Sequence, residues 1–319
     1  MDTITKDICY DAACMVVTRQ EASVTSLMRL LDVNEDEAKQ LMHKLNEAKV
    51  IGPVSEDGTA EVLITDFGQL DKISWVLSPP KPLCSGKIRE ILSSKEFQDN
   101  YTEIPLLIGQ TSDGRPEIID LVNAKNILVA GAPGQGKSKF LDSMWDSMLG
   151  MVIQDKVQVF YLNSNDEIYH EYQSILWINY VYSALESRYE VFREYGIKSV
   201  REYNEQNREE GMPYIVILFD EYTILQDSRL MKTVLKLAQK GPRVGIHIIM
   251  STSHTSVNVI SNKVKILFPT RIAFKTRSAA DSRTILDTYG AEELPVYGDM
   301  LLLYKDGLTR LNGEFADTY

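Results

Sequence analysis

Residues 127–138 read ILVAGAPGQGKS: four apolar residues, then a run with three glycines that ends in a lysine and a serine. Ile127–Ala130 has the length and apolarity of a strand covered on both faces, and from Lys139 onward the spacing turns helical. A glycine run between a strand and a helix is the context a phosphate-binding loop needs. Glycines at 131, 134 and 136 let the backbone point successive N–H groups inward, and the start of the helix adds its partial positive charge. Gly131, Ala132, Pro133, Gly134, Gln135, Gly136, Lys137, Ser138 and Lys139 are therefore the candidate nucleotide cradle. Lys137 is expected to reach the β- and γ-phosphates of ATP, and Ser138 to hold Mg²⁺. A glycine-rich turn can match such a pattern by accident, but strand, loop, Lys-Ser and helix together argue otherwise.

Downstream, YIVILFDE (214–221) is an apolar strand that ends in two acids. At a strand tip beside a P-loop, the first carboxylate can hold the metal and the second can polarise an attacking water. Asp220 is thus the second metal residue and Glu221 the candidate base. An apolar run ending in Asp-Glu is otherwise a common solvated strand end, and its place after a P-loop in the same unit favours the catalytic reading. Ser251, Thr252 and Ser253 end another apolar run, where a hydroxyl can either sense the terminal phosphate or cap its own turn.

Short, nearly continuous apolar runs at 126–130, 157–162, 214–219, 245–251 and 270–275 alternate with helical patterns, and a hairpin is expected around Asp306-Gly307. This predicts an α/β fold with a mainly parallel sheet covered by helices. Ahead of it, residues 1–66 show helical spacing at 10–18, 23–31 and 34–49, then VIGPVSEDGTAEVLI with a turn signal at Asp57-Gly58. Three helices and a two-stranded wing are the order of a small winged-helix domain. Pro79, Pro80 and Pro82 mark a semi-rigid linker.

Composition bounds the partners. Of 319 residues, 34 are basic and 45 acidic, for a net charge of −11, so contact with nucleic acid is confined to local basic sites. Residues 1–66 alone carry six basic and thirteen acidic side chains. Three cysteines, Cys9, Cys14 and Cys84, have neither disulfide nor zinc spacing, which suits a reducing, cytoplasmic setting. The apolar runs fall short of the roughly 20 residues that cross a bilayer.

The chain resembles the motor domain of FtsK/SpoIIIE-type DNA translocases. The resemblance rests on REILSSKEFQDN, IPLLIGQTSDGRP, ILVAGAPGQGKS, MPYIVILFDEYTIL, LAQKGPRVGIHIIMSTSHTSVNVIS, PTRIAFKTRSAADSRTILDTYGAEEL and YGDMLLL, in the family's order. Residues 1–66 are similar to the family's winged-helix gamma domain, here placed before the motor instead of after it. The implied organisation is a winged helix at 1–66, a linker and remnant of the first motor subdomain at 67–103, and a RecA-like motor at 104–319. The resemblance implies a homo-hexameric ring that threads double-stranded DNA using ATP and Mg²⁺. It places Lys137, Ser138, Asp220 and Glu221 on nucleotide and metal positions, and the arginine that completes a neighbour's site at Arg243, one position from the family's. The family's DNA-facing basic positions fall on His254, Lys265, Ala279 and Arg283, with Lys263 and Arg277 close enough to substitute. In the winged helix the corresponding basic positions are Glu37, Gln40 and Ala60, which favours a protein partner for that domain over DNA reading. Asn163-Ser164-Asn165-Asp166 replaces the family's aspartate-proline-lysine, and Ser253 its glutamine. A conjugation or packaging ATPase, and a nucleotide-binding adaptor docking through the acidic winged helix, are the competing readings.

Overall fold

A computed structural model describes residues 6–31, 33–64, 90–99, 102–153, 156–162, 167–208, 211–222, 228–295, 297–305 and 307–313. The chain divides into two units, Met1–Lys81 and Pro82–Tyr319. The proline-rich linker and the Asn163–Asp166 replacement lie outside the described residues.

In the first unit, α1 (Lys6–Arg19), β1 (Ala22–Ser23), α2 (Val24–Leu31), α3 (Glu35–Glu47) and β2 (Thr59–Ala60) follow in order. Helix α3 forms because its apolar residues recur at helical spacing, burying Ala38, Leu41, Met42 and Leu45 on one face. Its start is a capping box: Asn34 accepts from the Glu37 N–H, and the Glu37 carboxylate accepts from the Asn34 N–H. After α3 the chain doubles back on itself through Asp57-Gly58, with Ile51 bridging Val62 and β2 pairing antiparallel to β1. The cluster of acids at the start of α3 is therefore partly structural. Glu37 caps, and Glu35 pairs with Lys39 at 2.6 Å.

The second unit is built on a nine-stranded sheet in the order β4-β3-β11-β10-β9-β5-β8-β7-β6. Its strands are β3 (Pro105–Gln110), β4 (Pro116–Asp120), β5 (Ile127–Ala130), β6 (Val157–Leu162), β7 (Tyr214–Phe219), β8 (Ile246–Thr252), β9 (Thr270–Phe274), β10 (Asp299–Tyr304) and β11 (Gly307–Asn312). Strands β6, β7, β8, β5 and β9 are mutually parallel. From β9 outward, β10, β11, β3 and β4 pair antiparallel. The sheet is therefore mixed, with a parallel half at the expected positions and an antiparallel extension. Every residue of β5, β7 and β8 is buried, as strands covered on both faces require.

The covering helices are α4 (Lys137–Ile153), α5 (Glu167–Tyr195), α6 (Val200–Gln206), α7 (Ser228–Lys240), α8 (Asn262–Leu267) and α9 (Ala279–Leu286), with single helical turns at Lys95–Gln98 and Leu121–Ala124. Helix α4 buries Phe140, Leu141, Met144 and Met148, and its Ser147 hydroxyl accepts from the Leu107 N–H of β3. Buried Asn126, just before β5, spends its whole amide on the frame: it donates to Ala238 and Leu267 carbonyls and accepts from the Ile248 N–H. That fixes β5, and so the loop after it, against β8, α7 and α8. Among the described residues no helix is long and apolar enough to cross a membrane.

Candidate functional site

Five parallel strands end at one edge of the sheet, and the loops leaving those ends form the site. The loop after β5 turns at Gly131, whose φ of +156° few side-chain-bearing residues adopt. A Cβ there would stand 2.8 Å from the Cβ of Phe274, because the Ala132 N–H donates to the Lys275 carbonyl and draws the loop onto the end of β9. The loop then passes through Gly134 (φ +72°) and Gly136 (φ +105°) into α4.

Lys137 begins that helix, and its buried ammonium folds back to donate to the carbonyls of Gly131 (3.0 Å) and Ala132 (2.9 Å). Burial pushes its pKa below the ordinary lysine value, while the carboxylates of Glu221 and Asp220 pull it back up. Those two acids leave the end of β7 as the sequence predicts. Their partners come from the neighbouring strand tip. The Ser251 hydroxyl donates to Asp220 Oδ1 at 2.9 Å and accepts the Glu221 N–H at 3.0 Å. The Thr252 hydroxyl donates to Glu221 Oε1 at 2.8 Å, the Ser253 N–H donates to Glu221 Oε2 at 2.7 Å, and the His254 ring stands 3.5 Å from Oε1. Glu221 takes φ +61°, so these bonds hold a carboxylate on a backbone turn that L residues rarely adopt. Thr252 also accepts the His254 N–H, so its hydroxyl caps its own turn and grips Glu221 at once.

Ser138 and Lys139 are exposed on the first turn of α4, and Lys139 pairs with Asp142 at 3.6 Å. Gln135 and Ala132 are half-buried and Pro133 and Gly134 exposed, leaving the outer rim of the loop open to a ligand.

The remaining candidates lie farther off. Arg243 sits in the turn before β8, at the end opposite Ser251, a strand length of about 20 Å away. Its guanidinium donates to the Lys198 carbonyl at 2.8 Å and lies over the Tyr189 ring. Such a residue cannot reach its own P-loop, a position compatible with a role toward a neighbouring copy. Lys265 on α8 is not a free cation: its side chain is 17% exposed and its ammonium meets Asp287 at 2.6 Å. Arg271, which the sequence reading passed over, meets the other oxygen of Asp287 at 2.6 Å. Partial burial would raise the Asp287 pKa, but hydrogen bonds from Lys265 and Arg271 outweigh it and hold the carboxyl below its usual range. Arg283 lies over the Tyr289 ring, while Lys263, Arg277 and His254 are exposed, and Ala279 opens α9.

The FtsK/SpoIIIE family model matches residues 87–256, the stretch from the approach to β3 through the strand tip that holds Glu221. The chain belongs to the FtsK/SpoIIIE family. Within this family it is similar to DNA translocase FtsK of Chlorobaculum tepidum, 27% identical over 88% of the chain and 36% of that protein. DNA translocase SftA of Bacillus subtilis is 31% identical over 72% of the chain and 27% of its own length. The chain thus spans about a third of the curated relatives it matches. Among solved structures, the pCW3 conjugation coupling protein TcpA in monomer form with ATPγS superposes with a TM-score of 0.60, at 19% identity, covering 88% of this chain and 82% of that one. The cytoplasmic domain of the type VII secretion ATPase EccC from Thermomonospora curvata gives 0.56, at 22% identity, over 68% of this chain and 29% of that one. At these identities the likeness is one of fold alone.

Proposed function

We propose that the FtsK/SpoIIIE unit hydrolyses ATP and uses it to move double-stranded DNA through a ring of six copies in the cytoplasm. One observation carries this reading. Glu221 is bonded to Thr252 and Ser253, and from there the chain runs directly into the segment that holds Lys263, Lys265, Arg277 and Arg283. A group suited to activating water is thus joined along the chain to basic positions ten to thirty residues farther on, of which Lys263 and Arg277 are exposed while Lys265 already pairs with Asp287.

In this reading the loop N–H groups and Lys137 hold the β- and γ-phosphates, Lys137 exchanging its two carbonyl partners for phosphate oxygens. Ser138 and Asp220 are hard oxygen donors, the small protein share that Mg²⁺ takes when phosphates supply the rest. Bound there, the ion neutralises charge on the phosphate oxygens. Glu221 orients and deprotonates the attacking water, and Arg243 of one copy stabilises the transferring phosphoryl in the next. Backbone phosphates require only point charges, so few cations per copy suffice when the ring repeats them.

Hydrolysis by wild type and Lys137→Ala, each with and without long duplex DNA, tests the reading. Duplex is expected to stimulate the wild type several-fold, with the stimulation falling steeply as salt rises. Lys137→Ala is expected to fall by at least about 100-fold in both conditions. Equal rates in all four arms overturn the motor reading.

For residues 1–66 we read a winged helix that contacts protein, supported by the helix order and by the acids at the start of α3. Neutralising Glu35 and Asp36 to the amides is expected to leave duplex affinity of the full chain unchanged; a clear rise would place that end against DNA.

A further inference from the structure

The two flanks of the P-loop differ in chemistry. On the β8 side stand Asp220, Glu221 and the strand-tip hydroxyls, where the proposed function puts the reacting terminal phosphate. The other flank is the β9–β10 side, where the loop meets Phe274, Lys275 and the residues leading into β10. A triphosphate laid along the loop with its terminal phosphate toward Glu221 sends its nucleoside end to that second flank.

Tyr297 stands there. A Cβ on Gly136 would lie 3.4 Å from the ring carbon Cζ of Tyr297 and 3.6 Å from Cε1, so the ring lies against the end of the phosphate loop where it enters α4. The residue is also 45% exposed, so the ring meets solvent as well as the loop. The next residue, Gly298, is held from two sides. The Gly298 N–H donates to the Gln135 carbonyl of the loop at 3.3 Å, and the Gly298 carbonyl accepts from the Gly313 N–H at 3.0 Å. Gly298 takes φ +86°, and a Cβ there would stand 2.2 Å from the Gly313 carbonyl oxygen, so only glycine lets the segment lie so close to the chain beyond β11. The result is an exposed aromatic ring next to the phosphate loop, carried beside a backbone-fixed glycine, on the flank away from Asp220 and Glu221.

We infer that Tyr297 is the stacking platform for the nucleobase of the bound triphosphate, an inference that rests on the P-loop reading and extends it to the far end of the ligand. Every base presents a π-face, so the ring contributes affinity without choosing among purines. Selection of ATP over GTP, where it exists, falls to other groups.

Calorimetric titration of the full chain with ATP, GTP and inorganic tripolyphosphate tests this, in wild type, Tyr297→Ala and Tyr297→Phe. Tyr297→Ala is expected to weaken ATP and GTP alike by about ten-fold, and tripolyphosphate by less than about two-fold. Tyr297→Phe keeps the π-face and should bind both nucleotides within about two-fold of wild type. An unchanged ATP affinity in Tyr297→Ala overturns the platform, as does an equal loss for tripolyphosphate, which would mean the ring only props the loop. A loss confined to one purine also overturns it. Wild type that binds neither ATP nor tripolyphosphate sinks the P-loop reading itself, an outcome separate from wild type that binds both while Tyr297→Ala matches it.

Discussion

Strands β6, β7, β8, β5 and β9 all run one way, so Leu162, Phe219, Thr252, Ala130 and Phe274 finish at a single edge and the loops that follow them meet there. In the other half, β10, β11, β3 and β4 alternate in direction and close on one another through hairpins. The parallel half brings together groups more than a hundred residues apart, from Gly131 to Thr252, and carries the chemistry. Among the described residues the antiparallel half reaches the P-loop through the connection into β10, where Tyr297 lies against Gly136 and the Gly298 N–H donates to the Gln135 carbonyl, and it otherwise contributes packing and backbone bonds. Substitutions at the parallel edge should therefore be felt first in turnover, and those in the antiparallel half first in stability.

The sharpest way to break this contrast is Glu221→Gln. The amide preserves shape: its oxygen can accept from the Ser253 N–H while its NH2 donates to the Thr252 hydroxyl, so ATP affinity should hold within a few-fold while hydrolysis falls by about 10³-fold. Single-turnover hydrolysis beside a binding titration separates the two, and unchanged turnover would remove Glu221 from the chemistry.

His247, near the start of β8, gives the parallel half a stability signature of its own. Burial drives its pKa down to about 4, and its Nδ1 lies 2.6 Å from the Lys125 carbonyl. The folded protein therefore keeps the imidazole neutral, whereas the unfolded chain takes up a proton near pH 6.5. Stability is fully present above that value and is lost as the pH falls toward 4, by on the order of 3 kcal/mol from this group. Urea unfolding of wild type and His247→Gln across pH 4 to 7 checks it. The wild type should show the steeper loss, and parallel curves would contradict it.

Smaller effects sharpen the comparison. Ser251→Ala removes the donor to Asp220 and the acceptor of the Glu221 N–H, so hydrolysis should drop about ten-fold with a stability loss of about 1–2 kcal/mol. Ser147→Ala cuts the tie from α4 to the Leu107 N–H of β3. It should cost about 1 kcal/mol in denaturant unfolding and leave turnover of the folded protein within about two-fold. A larger effect on turnover than on stability at Ser147 would show that the antiparallel half takes part in the chemistry.

The same division governs what could be read from the sequence. The parallel strands stand out because each is a short, nearly unbroken apolar run, which is what burial on both faces demands. The expected 126–130, 157–162, 214–219, 245–251 and 270–275 differ from the observed strands by a residue at most at either end. Strands β3 and β4 carried no such signal. Prolines open both, Gly109 interrupts β3 where the register shifts, and their pairing is with each other and with β11 some two hundred residues on. At the site, Lys137, Asp220 and Glu221 are legible because each motif is local. The grip of Thr252 and Ser253 on Glu221, and the pairing of Lys265 and Arg271 with Asp287, span roughly fifteen to thirty residues and depend on which strands lie side by side. Tyr297 was visible only as a letter within YGDMLLL, since its proximity to Gly136 exists only once β10 has been placed.

The backbone and side chain of Glu221 are fastened to four consecutive residues, Ser251 through His254. A tug on the segment beyond His254 must either snap one of these links or drag the carboxylate along with it. A displacement of that segment is thus passed to the Glu221 carboxylate through direct bonds, with no spacer residue between them.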